Sequence, residues 1–511
     1  MLTLRVIKPD GRRVEPDAIE GLDHVEMPGL AVGDYVEYEF VRWRGPSPNG
    51  GYRSSGWVFQ NFSYPFDLSR LVLIAPPDLP VEVEPRGPVP QPAETRDGGL
   101  RVLTWTVEES RPLVNEPRAA VSPERLPHLD FGVRADWASY FDGIVDNLMD
   151  QEPRDPEAER LAREIVGELA SAPIEQRVRR MHRWVLDNIE DGGGGAPVPV
   201  QVAARAGSRN RVLRYLLELA GMDARIVLTR SLGEREPRAL ARDDVYPASL
   251  VMVRREGGPP IFTSVAERGI PFGYVSASLR GMEAVVLEPG APRVVVGDQG
   301  SRDLRDVRAD VTLGPDGSAR VSVEERFHGA HAYFWRQQLE GVPRAELDQR
   351  FEQAYVVPIF GPARLVSLEV EGQTDPDAPV ILRYVADVPL LGRVERGEQL
   401  VAPFFRAGLS RGLATLPRRE TTMRVLGNDL RVQMVVRAPG RGAPRAAPDA
   451  VVEGPHGARA SSTARLDGDV LTVTQEITLP SLLVRPDEYA RFAAFCRDVD
   501  LLEGREVRVG R

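Results

Sequence analysis

An α+β fold is predicted by three features of the sequence. Period-two alternation of apolar and polar residues fills both ends of the chain, helical apolar stripes fill the middle, and glycine or proline turns punctuate the segments. Strands gathered at the ends and helices in the centre imply separate β and mixed layers in place of repeated βαβ units. At 511 residues the chain exceeds what one hydrophobic core can fill, so about three domains are expected. Their boundaries are placed at 1–135, a β-sandwich-like region; 136–298, a core of helices on an antiparallel sheet; and 299–511, a β-rich region with helical insertions.

The first strand is read over Leu2 to Ile7, with Pro9-Asp10-Gly11 as its turn. Alternation returns at Tyr35 to Val41, Leu71 to Ile74 and Leu103 to Val107, and the Pro- and Glu-rich residues 76–99 are read as a long exposed hairpin connection. Helical pattern begins near Trp137. It continues through Leu161, Ile165, Val166 and Leu169, then through Ile174, Val178, Met181, Val185 and Ile189. Gly192 to Gly195, with Pro197 and Pro199, reads as a flexible connector; it lacks the lysine of a phosphate loop and follows a helix instead of a strand. A helix from Arg209 to Ala220 ends at Gly221 as a left-handed cap, and strands follow at Ala224 to Thr229 and Ser249 to Val253. Beyond residue 300, strands at Val307 to Leu313 and Ala319 to Val323 imply a second sandwich. Helical insertions are expected at 330–355 and 401–415, a loop at 438–460, strands from Ser461 to Leu479, and a last amphipathic helix from Pro486 to Val499.

Composition excludes several functions. The net charge of -10 gives no general attraction for a phosphate backbone, so nucleic-acid binding is disfavoured. Lys8 is the only lysine, which fits a GC-rich genome better than a functional preference for guanidinium groups. Cys496 is the only cysteine, so no internal disulfide or two-thiolate site is possible, and its helical spacing from Tyr489 and Phe492 reads as a buried core thiol. No apolar run is long enough for a membrane span, and the first residues lack the pattern of a signal peptide. No cofactor is called for.

The segment Trp184-Val-Leu-Asp-Asn-Ile189, the glycine stretch, and the run from Arg205 through Gly221-Met-Asp-Ala-Arg225 into a strand together resemble the transglutaminase core, a papain-like superfamily. The region from Pro9-Asp-Gly11 through Pro28 to Tyr38, and Phe59 to Leu71, resembles the β-rich domain of unknown function that precedes this core in many bacterial proteins. The run from Arg280 to Leu287 fits the same architecture. The resemblance implies a cysteine at the start of the second helix, a histidine opening a later strand and an aspartate on the next. Counting back from Gly221 puts the cysteine position at Ala206, or at Ser208 if the helix is two residues shorter; Ala248 stands at the histidine position and Thr263 at the aspartate position. None of these can form a thiolate, accept its proton or orient the acceptor. The resemblance with an emptied triad implies a pseudoenzyme that binds a protein or an extended peptide. The rivals are a hydrolase or transferase using a non-cysteine nucleophile, and a structural protein of the cell envelope. An upstream segment would place the chain in the periplasm or envelope by family resemblance.

Smaller features have competing readings. Ser208 with His182 as base would make a nucleophile, whereas the plainer reading is a helix cap and a core histidine. Arg205, Arg209, Arg211 and Arg214 could hold an anion at the helix start, or be solvated. His328 and His331 behind Glu324 and Glu325 are read as a strand-to-helix junction and not as metal ligands, and Tyr333, Phe334 and Trp335 as core packing in preference to a sugar platform.

Overall fold

The computed structural model describes residues 2–18, 25–27, 29–43, 45, 51–120 and 125–510. Residues 1–52 and 53–511 form two compact units. In the first, Thr3–Ile7 lies antiparallel between Arg13–Val14 and Tyr35–Glu39, with Val6 fully buried. The lone lysine, Lys8, pairs with Asp34 at 2.7 Å across the turn.

The second unit is mixed α+β, as predicted. It begins with two small antiparallel sheets. One joins Phe66–Ala75, Leu100–Ser110 and Ala93–Asp97; the other joins His128–Val133 to Trp57–Val58 and Glu82–Arg86. Phe59, Leu103, Trp105 and Leu129 form their shared core. Residues 76–99 are therefore more than a connection. Two of these strands lie inside them, because Val81-Glu-Val-Glu84 alternates although proline and glutamate dominate the composition.

Five helices follow: α1 (Trp137–Asp150), α2 (Pro156–Val166), α3 (Ile174–Asn188), α4 (Val198–Ala204) and α5 (Arg209–Leu219). Asp136 and Asp155 cap the first two by accepting from the amides of Ser139 and Ala158. The stretch expected to be a flexible connector contains α4, which proline permits because Pro199 lies in its first turn, where no amide hydrogen is needed. Gly221 ends α5 with φ +77°, as its left-handed role requires. These helices cover one face of an antiparallel sheet in the order Gly258–Thr263, Ala248–Arg255, Ala224–Thr229, Glu283–Val286, Arg293–Val295. Val251, Val253 and Ile261 join the helix-side core, while Leu250, Met252 and Phe262 face the opposite one.

The C-terminal part is built on one eight-stranded sheet, ordered Arg364–Glu371, Val380–Val388, Ala319–Phe327, Leu304–Leu313, Asn428–Arg437, Val470–Leu479, Arg459–Asp467, Ala450–Glu453. All neighbours are antiparallel except Leu304–Leu313 and Asn428–Arg437, which run parallel. The eight-stranded sheet is covered on one face, where the small sheet of Arg393–Glu395, Glu398–Val401 and Val507–Val509 adds Val401, Val507 and Val509 to the core. Val307, Val311, Val321, Tyr384 and Met434 face a core closed by the helical stretch α6 (Ala330–Leu339), α7 (Arg344–Phe351), the wide turn Glu352–Val356 and α8 (Val357–Phe360). The short helix α9 (Leu409–Leu413) and the long α10 (Tyr489–Glu503) close the other end. The opposite face carries arginine–carboxylate pairs such as Arg308–Asp310, Arg320–Asp387 and Arg431–Glu476, so it has no apolar surface for a second sheet to bury. Cys496 lies fully buried on α10, and burial pushes its thiol up to about 12.

Candidate functional site

Helix α5 starts against the neighbouring strands Ala248–Arg255 and Gly258–Thr263 at one edge of the five-stranded sheet, so its first turn and the near ends of those strands define the site. Ser208 is the N-cap residue of α5; Ala206 lies before it in the short strand Ala206–Gly207, paired parallel to Glu190–Asp191. Of the two positions considered for the nucleophile, only Ser208 opens the helix. Its amide donates to Gln201 Oε1 at 2.8 Å, and its side chain makes no capping hydrogen bond, contrary to the cap expected from sequence. Among the described residues no histidine or carboxylate hydrogen-bonds its hydroxyl.

Ala248 opens its strand but packs on the far side of the sheet, with the cluster around Leu250 and Met252. Ala248 therefore does not converge with Ser208 and Thr263, because alternation puts Ser249, and not Ala248, on the face that meets α5. Thr263 pairs with Val251 and so shares the helix-side face; it is fully buried, and its hydroxyl accepts from the Gly273 amide at 3.4 Å.

The residue that joins the pieces is one the sequence reading passed over. Asn210, on the first turn of α5 and buried, donates through Nδ2 to the Ser249 carbonyl at 3.1 Å and to its hydroxyl at 3.3 Å. Its Oδ1 accepts from the Ser264 hydroxyl at 3.3 Å and the Val265 amide at 2.9 Å. Both ends of the amide are thus occupied by the two strands. Three serines surround this tie: Ser208, Ser249 and Ser264. The alternation of Ser249, Val251 and Val253 would have revealed one of them; nothing in the sequence singles out Asn210.

His182, on α3, is buried with its Nε2 3.1 Å from the Ser264 carbonyl oxygen. A carbonyl only accepts, so this nitrogen carries the proton. Burial pulls the imidazole down to about 4, against small opposing effects from the Ser264 carbonyl and Asp377, and its ring meets Phe272 edge-on at 5.4 Å. The histidine is a neutral donor at pH 7 and has no hydrogen bond to Ser208.

Of the four arginines only Arg205 is solvent-exposed, and the four do not gather at one point of the helix start. Arg209 is buried and donates to the carbonyls of Ile189 (2.8 Å) and Ala266 (3.2 Å). Arg205 lies over the Trp184 ring at 4.5 Å, and Arg211 and Arg214 converge on Glu152. Further along the chain, Glu324 and Glu325 alternate to opposite faces of their strand. Glu325 is fully buried and accepts from Arg305, Tyr355 and Tyr384, whereas Glu324 pairs outside with Arg326 and Arg383. His331 binds Asn428 Oδ1 at 2.8 Å, so these residues do not converge as metal ligands. Trp335 packs against Phe327, Phe351 and Tyr355, while Phe334 is exposed.

The arrangement defines a class before any particular relative: a mixed α+β chain in which a helix start abuts an antiparallel sheet, with serines and an asparagine at the junction. The family described as a domain of unknown function with solved structure, DUF3857, matches residues 21–114. No curated protein matches the chain. Among solved structures, a Parabacteroides distasonis protein provisionally described as a protease is similar over 100% of this chain and 88% of its own, with a TM-score of 0.65 and 13% identity. At that identity the likeness is one of fold.

Proposed function

We propose that residues 136–298 form a noncatalytic transglutaminase-like module, and that the chain acts as a binding or scaffold protein for a protein or peptide partner. The observation that carries this reading is the Asn210 amide, whose hydrogen-bonding capacity is spent on tying α5 to Ser249, Ser264 and Val265. A nucleophile at this helix start needs an adjacent base to take its proton. The nearest imidazole, His182, presents a protonated nitrogen to a backbone carbonyl, and its low pKa keeps it a poor proton acceptor near neutrality. The fold shared with a protein provisionally described as a protease supports the papain-like frame and leaves the chemistry to the residues present.

The test is turnover by the purified full chain. Amine incorporation into a glutamine-bearing peptide and hydrolysis of a mixed peptide pool should both stay at the buffer background. Turnover above background that Ser208→Ala abolishes would overturn the proposal in favour of a serine-dependent hydrolase or transferase.

A further inference from the structure

We propose that the loop over residues 230–247, which joins the strands Ala224–Thr229 and Ala248–Arg255, is held by an acid-sensitive latch: His128 accepts a hydrogen bond from Arg235, and protonating the imidazole releases the arginine. The loop crosses to the strands His128–Val133 and Glu82–Arg86, where three side-chain contacts fasten it. Arg235 Nη1 lies 3.1 Å from His128 Nε2, the Leu240 amide donates to Glu84 Oε2 at 2.9 Å, and Arg242 pairs with Asp130. The loop then returns at Ala248, directly before Ser249 of the candidate site. The inference does not depend on whether Ser208 is inert.

The hydrogen positions follow from the partners. His128 Nδ1 is 2.6 Å from the Leu126 carbonyl oxygen, which only accepts, so Nδ1 carries a hydrogen. A guanidinium only donates, so Nε2 presents a lone pair to Arg235. The imidazole is therefore neutral and fixed in one tautomer. A second proton can go only to Nε2, and there it turns an acceptor into a donor. Two cations would then face each other at 3.1 Å, where the histidine is 2% exposed and the arginine 7%. Buried charges are screened far less than exposed ones, so one of the two side chains must leave.

Arg235 is the one free to move. His128 sits in a strand paired with both Trp57–Val58 and Glu82–Arg86, whereas Arg235 stands on irregular chain. The charged groups packed around the histidine, Glu84, Arg86 and Asp130 from the strands and Arg235, Arg242 and Asp244 from the loop, favour the same outcome. Asp130, two residues along on the same face of the strand, holds Oδ2 3.7 Å from His128 Nε2, within a small shift of accepting the new hydrogen. Arg86 at 3.3 Å and Arg242 keep Asp130 in place, and Glu84 at 3.4 Å keeps Arg86. Arg235 leaves with a partner of its own, because Asp244 Oδ2 lies 3.1 Å from its Nε. Glu234, paired with Arg424, and Leu240, bonded to Glu84, pin the chain on either side, so the opening is confined to residues 235–239. His182 donates to the Ser264 carbonyl and has no part in this contact, so its titration acts on the fold as a whole and not on the latch.

Hydrogen exchange of the full chain, read by mass spectrometry at about pH 7.5 and about pH 5.5 and corrected for the intrinsic pH dependence of amide exchange, tests the latch. Residues 235–239 should lose protection by about tenfold at the lower pH, as a local opening, while 224–229 and 250–253 keep theirs. His128→Gln offers an acceptor to Arg235 and a donor to the Leu126 carbonyl at either pH, so its loop should stay protected at both. Arg235→Ala should exchange fast at both. Imidazole NMR should show His128 as the Nδ1-protonated tautomer at neutral pH, with a titration that tracks the loss of protection. Equal protection of 235–239 in the parent at the two pH values, or a uniform loss along the whole chain, would overturn the proposal whether or not the buried variants fold. So would the same acceleration in His128→Gln, or a hydrogen on Nε2 of His128 at neutral pH.

Discussion

A buried imidazole beside a carbonyl oxygen has its proton fixed by geometry. His182 therefore makes stability depend on pH in a defined direction. Its folded pKa, about 4, lies below its ordinary value of 6.5, so the unfolded chain binds a proton that the native chain refuses. Stability from this residue is present above pH 6.5 and is lost as pH falls towards 4, amounting to roughly 3 kcal/mol. Urea unfolding between pH 7 and 4 should show this slope, and His182→Gln should lack it; a parallel slope in the variant would refute the assignment. The sequence placed His182 correctly in the core because its neighbours Met181 and Val185 carry the apolar stripe. It could not show Ser264 across from the ring, since the two are brought together only by tertiary packing.

Where elements meet, the asparagine tie is the informative contact. An aspartate at Asn210 keeps both acceptor functions but cannot, when ionised, donate to the Ser249 carbonyl. Asn210→Asp should therefore destabilise the protein by about 2–4 kcal/mol at pH 7, with the gap to the parent narrowing once the carboxyl protonates below its raised pKa. Equal stability of the two proteins at pH 7 would show that α5 is held by its apolar face alone. Elements with strong periodicity were legible from the start: α5, the strand Ala224–Thr229 and the alternating C-terminal strands all lie where the pattern put them. The helix Val198–Ala204 was hidden by Pro197 and Pro199, residues that break a helix interior and suit its first turn. The far-side position of Ala248 was legible in the alternation of Ser249, Val251 and Val253, which leaves Ala248 with Leu250 and Met252 on the other face. The second sheet expected in the C-terminal part is small, three short strands whose Val401, Val507 and Val509 join the main core.

Across the whole molecule, the helical core and the C-terminal sheet are joined through Arg336 and the loop at 372–378. Four carbonyls from both sides converge on that guanidinium, while Asp377 accepts from the Phe272 amide and pairs with Arg179 at 2.9 Å. Replacing Arg336 by glutamine leaves several buried carbonyls without donors and should cost about 3 kcal/mol. Hydrogen exchange should then quicken both at 264–273 and at 372–378; a change on one side only would mean that the two regions are not coupled there. None of this was visible in the sequence, since an arginine bonded only to distant carbonyls has no local signature. The parallel pairing of Leu304–Leu313 with Asn428–Arg437 carries a consequence for synthesis. The earlier strand leaves the ribosome more than a hundred residues before its neighbour, a wait of roughly ten seconds at ordinary elongation rates. During that interval its exposed edge must be shielded by the adjacent hairpin or by a chaperone, and the nascent chain is most open to misassociation before the sheet's centre can close.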